Sequence, residues 1–415
     1  MGAYTWEKTK HRVGRLAGFA AIAALIVLAN LRLMSPWVGT HYLFRTSDGF
    51  YARALMGTLL ERLWGRAPIP LARLDALALW MLSLLCLALC LLVARFVRKR
   101  HDVSALALGL VFLTSPGTIA FFAVDLGRLD QWGMLVFLAS LPLFLRLPAW
   151  GQKLWMGVVV LLLALLHEVL AVTLGCLYLA LYLVRHHARF ARPAGFVREG
   201  VGLSLALLPA VLLTLWLLGP ARLPYSQDAL AAAVDMVSEH ATFEASKDAV
   251  IVQFRSMGEN MAFTRRVTRT PLFRLKAGIA ALALMPSLLV GVVSVLRLMA
   301  RRLRAMQGAQ PGQRLVLAAA VALLFAPLSL FAVGIDHPRW LATLVFNLFV
   351  FRFLFPESKS RVWTTGGRRL AIAGLIGLCV LQVVVGGITA TQGPVRLTTF
   401  FLARMPGLFE ALTGG

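Results

Sequence analysis

Ten apolar runs dominate this sequence, and they restrict the chain to folds that cross a membrane many times. Each run is close to or longer than the roughly 20 apolar residues that cross a bilayer as one helix. The chain of 415 residues is 59% hydrophobic and only 14% charged. We therefore predict an all-α polytopic membrane protein that forms a single integral domain, residues 1–415. The runs are 15–36, 70–96, 103–123, 131–147, 154–184, 200–219, 272–297, 314–334, 338–354 and 368–389.

The charged residues between those runs indicate how the chain is oriented in the membrane. The formal net charge is +24, from 42 basic and 18 acidic residues. Lys and Arg concentrate in the cytoplasmic connections of membrane proteins, which explains much of this excess. No helix-turn-helix or RNA-binding signature accompanies it, so we predict a membrane partner and no nucleic acid. The basic clusters that we place in the cytoplasm lie at 8–15, 95–100, 185–198, 297–314 and 359–369.

The longest run, 154–184, carries His167 and Glu168 near its centre. A carboxylate at that depth is costly, and a single crossing would place the basic cluster 185–198 on the exoplasmic side. Two crossings keep every basic cluster inside, so we predict two short helices, each of about 14 residues and about 21 Å. Their junction at His167-Glu168 is then recessed beneath the exoplasmic surface, as the floor of a cavity.

This count gives about eleven transmembrane helices, including the two short ones, with a cytoplasmic N-terminus and an exoplasmic C-terminus. The Ala-, Leu- and Arg-rich composition is typical of a GC-rich bacterium, so we place this multi-pass protein in the bacterial inner membrane. After the first helix, FYARALMGTLLERLW has the spacing of an amphipathic helix on the membrane surface. The predicted exoplasmic loops are about 37–69, 124–130, 220–271, 335–337 and 390–415.

Acidic and basic residues occur together on the exoplasmic side, which topology alone does not require. A carboxylate can act as a general base or bind a divalent cation. A divalent cation is therefore a candidate cofactor. Arginine binds phosphate through parallel hydrogen bonds. Asp48 is the leading general-base candidate. The other candidate catalytic residues are Asp125, Asp130, His167, Glu168 and Asp336. The candidate substrate-binding residues are Arg45, Arg53, Arg128, Arg265, Arg266, His337 and Arg339.

Each candidate also has a purely structural interpretation. Asp48 can cap the helix that follows it, and DLGRLD and GIDHPRW can be turns with local ion pairs. The arginines of 255–274 can bind lipid headgroups. The sequence HEVLA lacks the second histidine of an HExxH zinc site.

Three of the arginines have a common spacing. Arg53, Arg128 and Arg339 each follow an aspartate by three to five residues, which places acid and base on one side of a short turn. A local ion pair would accept lysine at these positions. A phosphate site would require arginine, because only the guanidinium presents a planar pair of donors.

A membrane substrate that carries both phosphate and hydroxyl groups would use both sets of side chains. A sugar linked to a polyprenyl phosphate or pyrophosphate is such a substrate. The arginines would hold the departing phosphate, and a carboxylate would accept the proton of an acceptor hydroxyl. We therefore predict a polyprenyl-phosphate lipid carrier and a glycan acceptor as partners.

The order of these features resembles the GT-C superfamily of polyprenol-dependent glycosyltransferases. The shared features are an N-in first helix, an exoplasmic loop with Asp48, an amphipathic surface helix and many further helices. The short helices and arginine-rich loops are also similar to the Wzy/EpsG type of polysaccharide polymerase. The resemblance implies sugar transfer from a lipid carrier at the exoplasmic face. Asp48 stands alone in RTSDGF, where many GT-C enzymes have paired acids, and no WWDYG motif is present.

Other classes of membrane protein remain open. A transporter or flippase of a lipid-linked or anionic glycan would show repeat symmetry and polar residues along its whole path. Another lipid-phosphate transferase would use the same arginines. A membrane acyltransferase could use His167, but it would not need so many exoplasmic arginines.

Overall fold

The computed structural model describes residues 2–48, 53–100, 103–218, 226–306, 308, 310–355, 365–389 and 393–394. Most of these residues are helical, which confirms the predicted class. The first helices are α1 (Gly2–Asn30), α2 (Pro36–Thr40), α3 (Ala54–Trp64), α4 (Leu71–Arg100), α5 (Val103–Thr114), α6 (Ile119–Val124), α7 (Leu129–Arg146), α8 (Ala149–Leu166) and α9 (Glu168–His186).

The second half of the described chain is also helical, apart from one antiparallel pair of two-residue strands, β1 (Ile388–Thr389) and β2 (Gly393–Pro394). Short 3-10 helices cover His187–Phe190, Ile251–Gln253 and Ala326–Ala332. The α-helices are α10 (Pro193–Leu218), α11 (Gln227–Ser238), α12 (Lys247–Val250), α13 (Met257–Thr268), α14 (Pro271–Ala305), α15 (Pro311–Leu324), α16 (His337–Leu354) and α17 (Thr365–Val385).

Six spans of the described chain are long and apolar enough to cross a membrane, and a seventh is added if α15 and the bent 3-10 helix after it form one span. The six are α4, the α5–α6 segment, α8, α9, α10 and α14. The structure is therefore that of a multi-pass helical membrane protein, but the count of about eleven is not confirmed. The apolar parts of α1 and α17 are shorter, and α7 and α16 carry charged residues at both ends.

The break at His167 is confirmed. His167 has an extended backbone, with φ −165° and ψ 120°, and it separates α8 from α9. A Cβ placed on Gly175 would lie 3.1 Å from Val160 Cγ1. These two residues are almost equally far from the break in sequence, so α8 and α9 pack as an antiparallel hairpin.

The two helices are longer than the sequence predicts. They have 18 and 19 residues, or about 27 Å each at 1.5 Å per residue. That length is close to the hydrocarbon thickness of a bilayer, so the recessed junction that we expected is not required. The prediction of about 14 residues was wrong because each helix continues into polar residues that are paired at the far end of the hairpin.

Those polar residues form a cluster around Glu199 of α10, which we call the Glu199 cluster. Glu199 is 1% exposed. Its carboxylate lies 3.1 Å from Lys153 Nζ and 3.1 Å from Arg189 Nη1, and it accepts a hydrogen bond from Tyr182.

A Cβ on Gly157 would overlap the backbone oxygen of Ala206. Glycine therefore allows α8 and α10 to approach closely.

The segment 220–271, which we predicted as a loop, is folded where the structure describes it. Helices α11, α12 and α13 lie within it. Leu230, Ala233 and Val237 are buried on one side of α11 and pack with Leu43 and Phe44 in a small second core. The spacing of these apolar residues is that of an amphipathic helix.

The orientation of the chain is a testable prediction. Positive-inside topology places the start of α8 and the end of α9 in the cytoplasm, and it places α3 on the exoplasmic side. We expect Arg66→Cys to react with an impermeant maleimide in intact cells, and Arg192→Cys to react only after permeabilisation. Both variants are made after the four native cysteines are replaced. Labelling of position 192 from the outside alone would contradict the predicted orientation.

Candidate functional site

A single cleft collects side chains from five separate parts of the chain. Its empty space is about 270 Å³, including the part that is open to solvent, and it lies where α2, α3, α7 and α16 begin or end beside the α8–α9 junction. Four residues proposed from the sequence line this cleft, and they come from four different segments. The lining residues are Trp37, Val38, His41, Arg53, Gly127, Arg128, Leu129, His167 and Arg339.

Arg53 enters the cleft from the residue that precedes α3. Its backbone is left-handed, with φ 70°, a conformation that is uncommon for a residue with a side chain. The guanidinium donates through Nε and Nη2 to the two carboxylate oxygens of Glu168, at 3.3 and 3.0 Å. His167 Nδ1 lies 3.2 Å from the same carboxylate. The parallel hydrogen bonds hold Arg53 against the hairpin junction.

Arg128 approaches from the turn before α7. Its Nε lies 2.6 Å from Asp125 Oδ2, and its Nη1 lies 3.6 Å from Asp336 Oδ2. The guanidinium carbon also lies 4.9 Å from the ring centre of Trp37, within the range of a cation–π contact. Gly127 has φ 86°, so this turn needs a residue without a side chain just before Arg128.

Arg339 lies in the first turn of α16 and connects two acids. Nη1 donates to Asp130 Oδ2 at 3.0 Å, and Nη2 lies 2.7 Å from Asp336 Oδ2. Trp340 lies beside the guanidinium, 4.0 Å from its carbon to the ring centre. Asp336 Oδ2 is therefore shared between Arg128 and Arg339, which joins the α7 and α16 ends in one network.

The predicted local ion pairs are only partly correct. Asp125 with Arg128, and Asp336 with Arg339, pair at a spacing of three residues. Arg53 does not pair with Asp48, and binds Glu168 instead. Its partner lies 115 residues away, at the α8–α9 junction, so the local spacing that we used does not apply to it.

Around the cleft, three guanidinium groups pair with four carboxylates in two separate groups: Arg53 pairs with Glu168, and Arg128 and Arg339 pair with Asp125, Asp130 and Asp336. Each guanidinium has five N–H donors, and the carboxylates occupy only part of them. Arg339 Nε, for example, is buried and has no hydrogen-bond partner among the described residues. The carboxylates therefore orient the arginines and leave donors for a further anion.

His41 is the ionisable residue of the cleft lining that our sequence analysis did not select. It is 5% exposed, and both ring nitrogens are buried without a hydrogen-bond partner in the described part of the chain. Its ring and the ring of Trp37 are nearly perpendicular, with 4.5 Å between their centroids. Burial, then the charges of Arg53, His167 and Arg128, hold the pKa of His41 well below its ordinary value. No spacing in the sequence distinguishes it from other loop histidines.

The structure places Asp48 with a different group of polar residues. His240 Nε2 lies 2.9 Å from Asp48 Oδ2, and neither residue lines the cleft. Nearby, Glu61 accepts hydrogen bonds from Ser47 and Arg66 at 3.0 Å each. The buried Arg45 lies 3.9 Å from Glu61. Asp48 thus pairs with a residue just after α11, and Arg45 lies beside Glu61 of α3.

Three other candidates also lie apart from the cleft lining. Arg265 and Arg266 are exposed in the last turns of α13. His337 stacks on Phe331 at 4.4 Å between ring centroids, and its Nε2 lies 3.3 Å from the Phe331 carbonyl oxygen. His337 therefore packs against the 3-10 helix that precedes α16.

The described residues contain no group of three or more His, Cys, Asp or Glu side chains that could hold a metal ion. The predicted C-terminal exoplasmic segment 390–415 lies outside the described residues, except for 393–394.

Comparisons with protein-family models, with curated proteins and with solved structures found no match to this chain.

Proposed function

We propose that this protein is a membrane glycosyltransferase or glycan polymerase that takes its sugar from a polyprenyl-phosphate or pyrophosphate carrier at the exoplasmic face. The observation that supports it is the convergence of Arg53, Arg128 and Arg339 on one cleft. They come from segments that are far apart in sequence. A set of unrelated surface ion pairs would have no reason to meet there.

The chemistry of the cleft fits a phosphate group. Guanidinium groups remain charged when partly desolvated and donate in pairs to phosphate oxygens. Here each guanidinium is already oriented by a carboxylate, so little side-chain entropy is lost when an anion binds. An anion would use the donors that the acids leave free and would compete with the acids for the others.

The position of α3 fits a lipid carrier. Leu59 and Leu63 of this helix are exposed, Leu63 by 74%, while Met56 and Leu60 are buried on its other side. An amphipathic helix of this kind lies at the boundary between headgroups and hydrocarbon. Arg53 directly precedes it, so the cleft would open at the depth where the phosphate of a membrane lipid is found.

A transporter would need polar residues along a path through the bundle. Thr114, Ser115, Ser287 and Gln382 are buried polar residues there, but they hydrogen-bond with one another. Because these residues satisfy one another's hydrogen bonds, they do not favour a polar transport path. A flippase would be supported if the protein bound the lipid carrier without transferring its sugar.

The proposal is tested by lysine substitutions in the cleft. We expect Arg128→Lys and Arg339→Lys to weaken binding of a polyprenyl phosphate at least several-fold, because lysine cannot supply a planar pair of donors. Binding and turnover are measured with purified variants in nanodiscs, and thermal stability is recorded for each. Binding of a free sugar should be nearly unaffected.

Arg66→Lys provides the matched control. Arg66 is 83% exposed and pairs with Glu61 outside the cleft, so this variant should bind the lipid as the wild type does. Normal lipid binding and turnover in both cleft variants would contradict the phosphate site. If both variants lose their fold, the arginines are structural ion-pair partners.

A further inference from the structure

The four carboxylates beside the cleft, those of Asp125, Asp130, Glu168 and Asp336, are each bound by an arginine. Asp125 lies 2.6 Å from Arg128, Glu168 is bound by Arg53, and Asp130 is bound by Arg339. A nearby guanidinium stabilises the ionised carboxylate and makes it a weaker proton acceptor. The acids of the cleft are therefore suited to orienting the arginines and poorly suited to taking a proton from a hydroxyl.

His41 is different from these acids. It lines the cleft, it is 5% exposed, and neither ring nitrogen has a hydrogen-bond partner in the described residues. Buried polar atoms in proteins are almost always satisfied, and an exception needs a reason. A neutral imidazole has one nitrogen with a free lone pair, which can accept a proton directly. A substrate hydroxyl in the cleft would satisfy that nitrogen.

We propose that His41 is the general base that accepts the proton of the acceptor hydroxyl, which deepens and rests on the proposed function. The acceptor oxygen forms a bond to the anomeric carbon of the donor sugar. The bond between that carbon and the phosphate oxygen breaks, and its electron pair leaves with the lipid phosphate. The proton moves from the hydroxyl to a ring nitrogen of His41, and the imidazolium then releases it to water.

The surroundings of His41 connect its basicity to the donor. Burial and then the charges of Arg53, His167 and Arg128 oppose its protonation, and the charge of Glu168 favours it. Arg339 also lines the cleft. A phosphate that binds these arginines adds negative charge beside the ring and favours the imidazolium. The base would therefore become stronger when the donor is in place, so proton transfer would follow donor binding.

The first test is kinetic. We expect His41→Gln to lower turnover roughly 10²-fold or more, the usual loss when a general base is removed, while lipid-phosphate affinity changes less than about threefold. His187→Gln is the matched control, because His187 lies at the opposite end of the hairpin, where its Nδ1 lies 3.0 Å from the Val184 carbonyl oxygen. Asp48→Asn tests the base that the sequence favours.

The outcomes separate the two bases. Normal turnover in His41→Gln with a roughly 10²-fold loss in Asp48→Asn would overturn our proposal and restore Asp48. An equal loss of affinity and turnover in His41→Gln would also overturn it, because His41 would then only position the substrate.

The second test needs no sugar transfer. Histidine NMR signals of the wild type are titrated with and without farnesyl phosphate, and His41→Gln identifies the signal. We expect His41 to be neutral at pH 7 in the free protein, and its protonation midpoint to rise by about one unit or more when the phosphate binds, a tenfold change in basicity. Farnesyl phosphate that binds without moving this midpoint would contradict the His41 proposal alone. Absence of binding would contradict the proposed function and with it the His41 proposal.

Discussion

Replacement of Glu168 by alanine is expected to cause a large loss of stability, about 3–5 kcal/mol in the free energy of unfolding. That is the usual cost when one partner of a buried ion pair is removed and the other charge is left uncompensated. Glu168 is 3% exposed and its partner Arg53 is 11% exposed. The variant would leave a guanidinium with no carboxylate at the junction of α8 and α9. Unfolding is followed by steric trapping in detergent micelles.

The double variant Arg53→Met with Glu168→Met provides the decisive comparison. It removes both charges and retains apolar volume, so it should recover most of the lost stability. Exposed Glu239 provides the acidic control, because Glu239→Ala should be without measurable effect. If the double variant is as unstable as Glu168→Ala, the lost ion pair is not the cause and our account of the junction is wrong.

Gly57→Ala is expected to displace the surface helix α3 and the arginine that precedes it. A Cβ at this position would overlap the backbone carbonyl of Phe44. A backbone group cannot rotate away as a side chain can, so α3 must move. Overpacking usually costs about 1–3 kcal/mol, and a backbone clash belongs at or above the upper end of that range. We expect a lower unfolding temperature together with weaker lipid-phosphate binding, because Arg53 moves with the helix.

Gly200→Ala is the matched control for this prediction. Gly200 lies inside α10, and no atom lies within 4 Å of the position that its Cβ would occupy. Alanine is favoured over glycine inside a helix by about 1 kcal/mol, so this variant should be as stable as the wild type or slightly more stable. Unchanged stability and lipid binding in Gly57→Ala would show that α3 is not held against the 42–44 turn.

Part of this structure was predicted well from the local sequence pattern and from the number of membrane crossings that keeps all basic clusters on one side. The break at His167 follows from the basic cluster 185–198, because a single crossing would place that cluster on the wrong side. The pairs Asp125–Arg128 and Asp336–Arg339 follow from a three-residue spacing within one turn. In each case the determining interaction is between residues that are close in sequence, or between a charge and the membrane itself.

Contacts between distant residues could not be predicted in the same way. Arg53 and Glu168 are 115 residues apart, so their pairing depends on how α3 packs against α8. Helices α8 and α9 extend beyond the predicted ends because Lys153 is neutralised by Glu199, which belongs to another helix. His41 was missed because what distinguishes it is that both ring nitrogens are buried without a hydrogen-bond partner in the described residues. That property depends on the tertiary structure and cannot be read from the sequence.

The Glu199 cluster has a consequence for the order in which the chain assembles in the membrane. Lys153 and Arg189 precede their shared carboxylate in the sequence, so both cations leave the ribosome before their anion does. Until α10 has been synthesised, Lys153 must remain hydrated at the membrane surface, because an unpaired charge is costly to bury. The α8–α9 hairpin can therefore insert on its own, but its polar end closes only when α10 docks. A nascent chain that stops before Glu199 would hold a hairpin whose cations keep that end open to water.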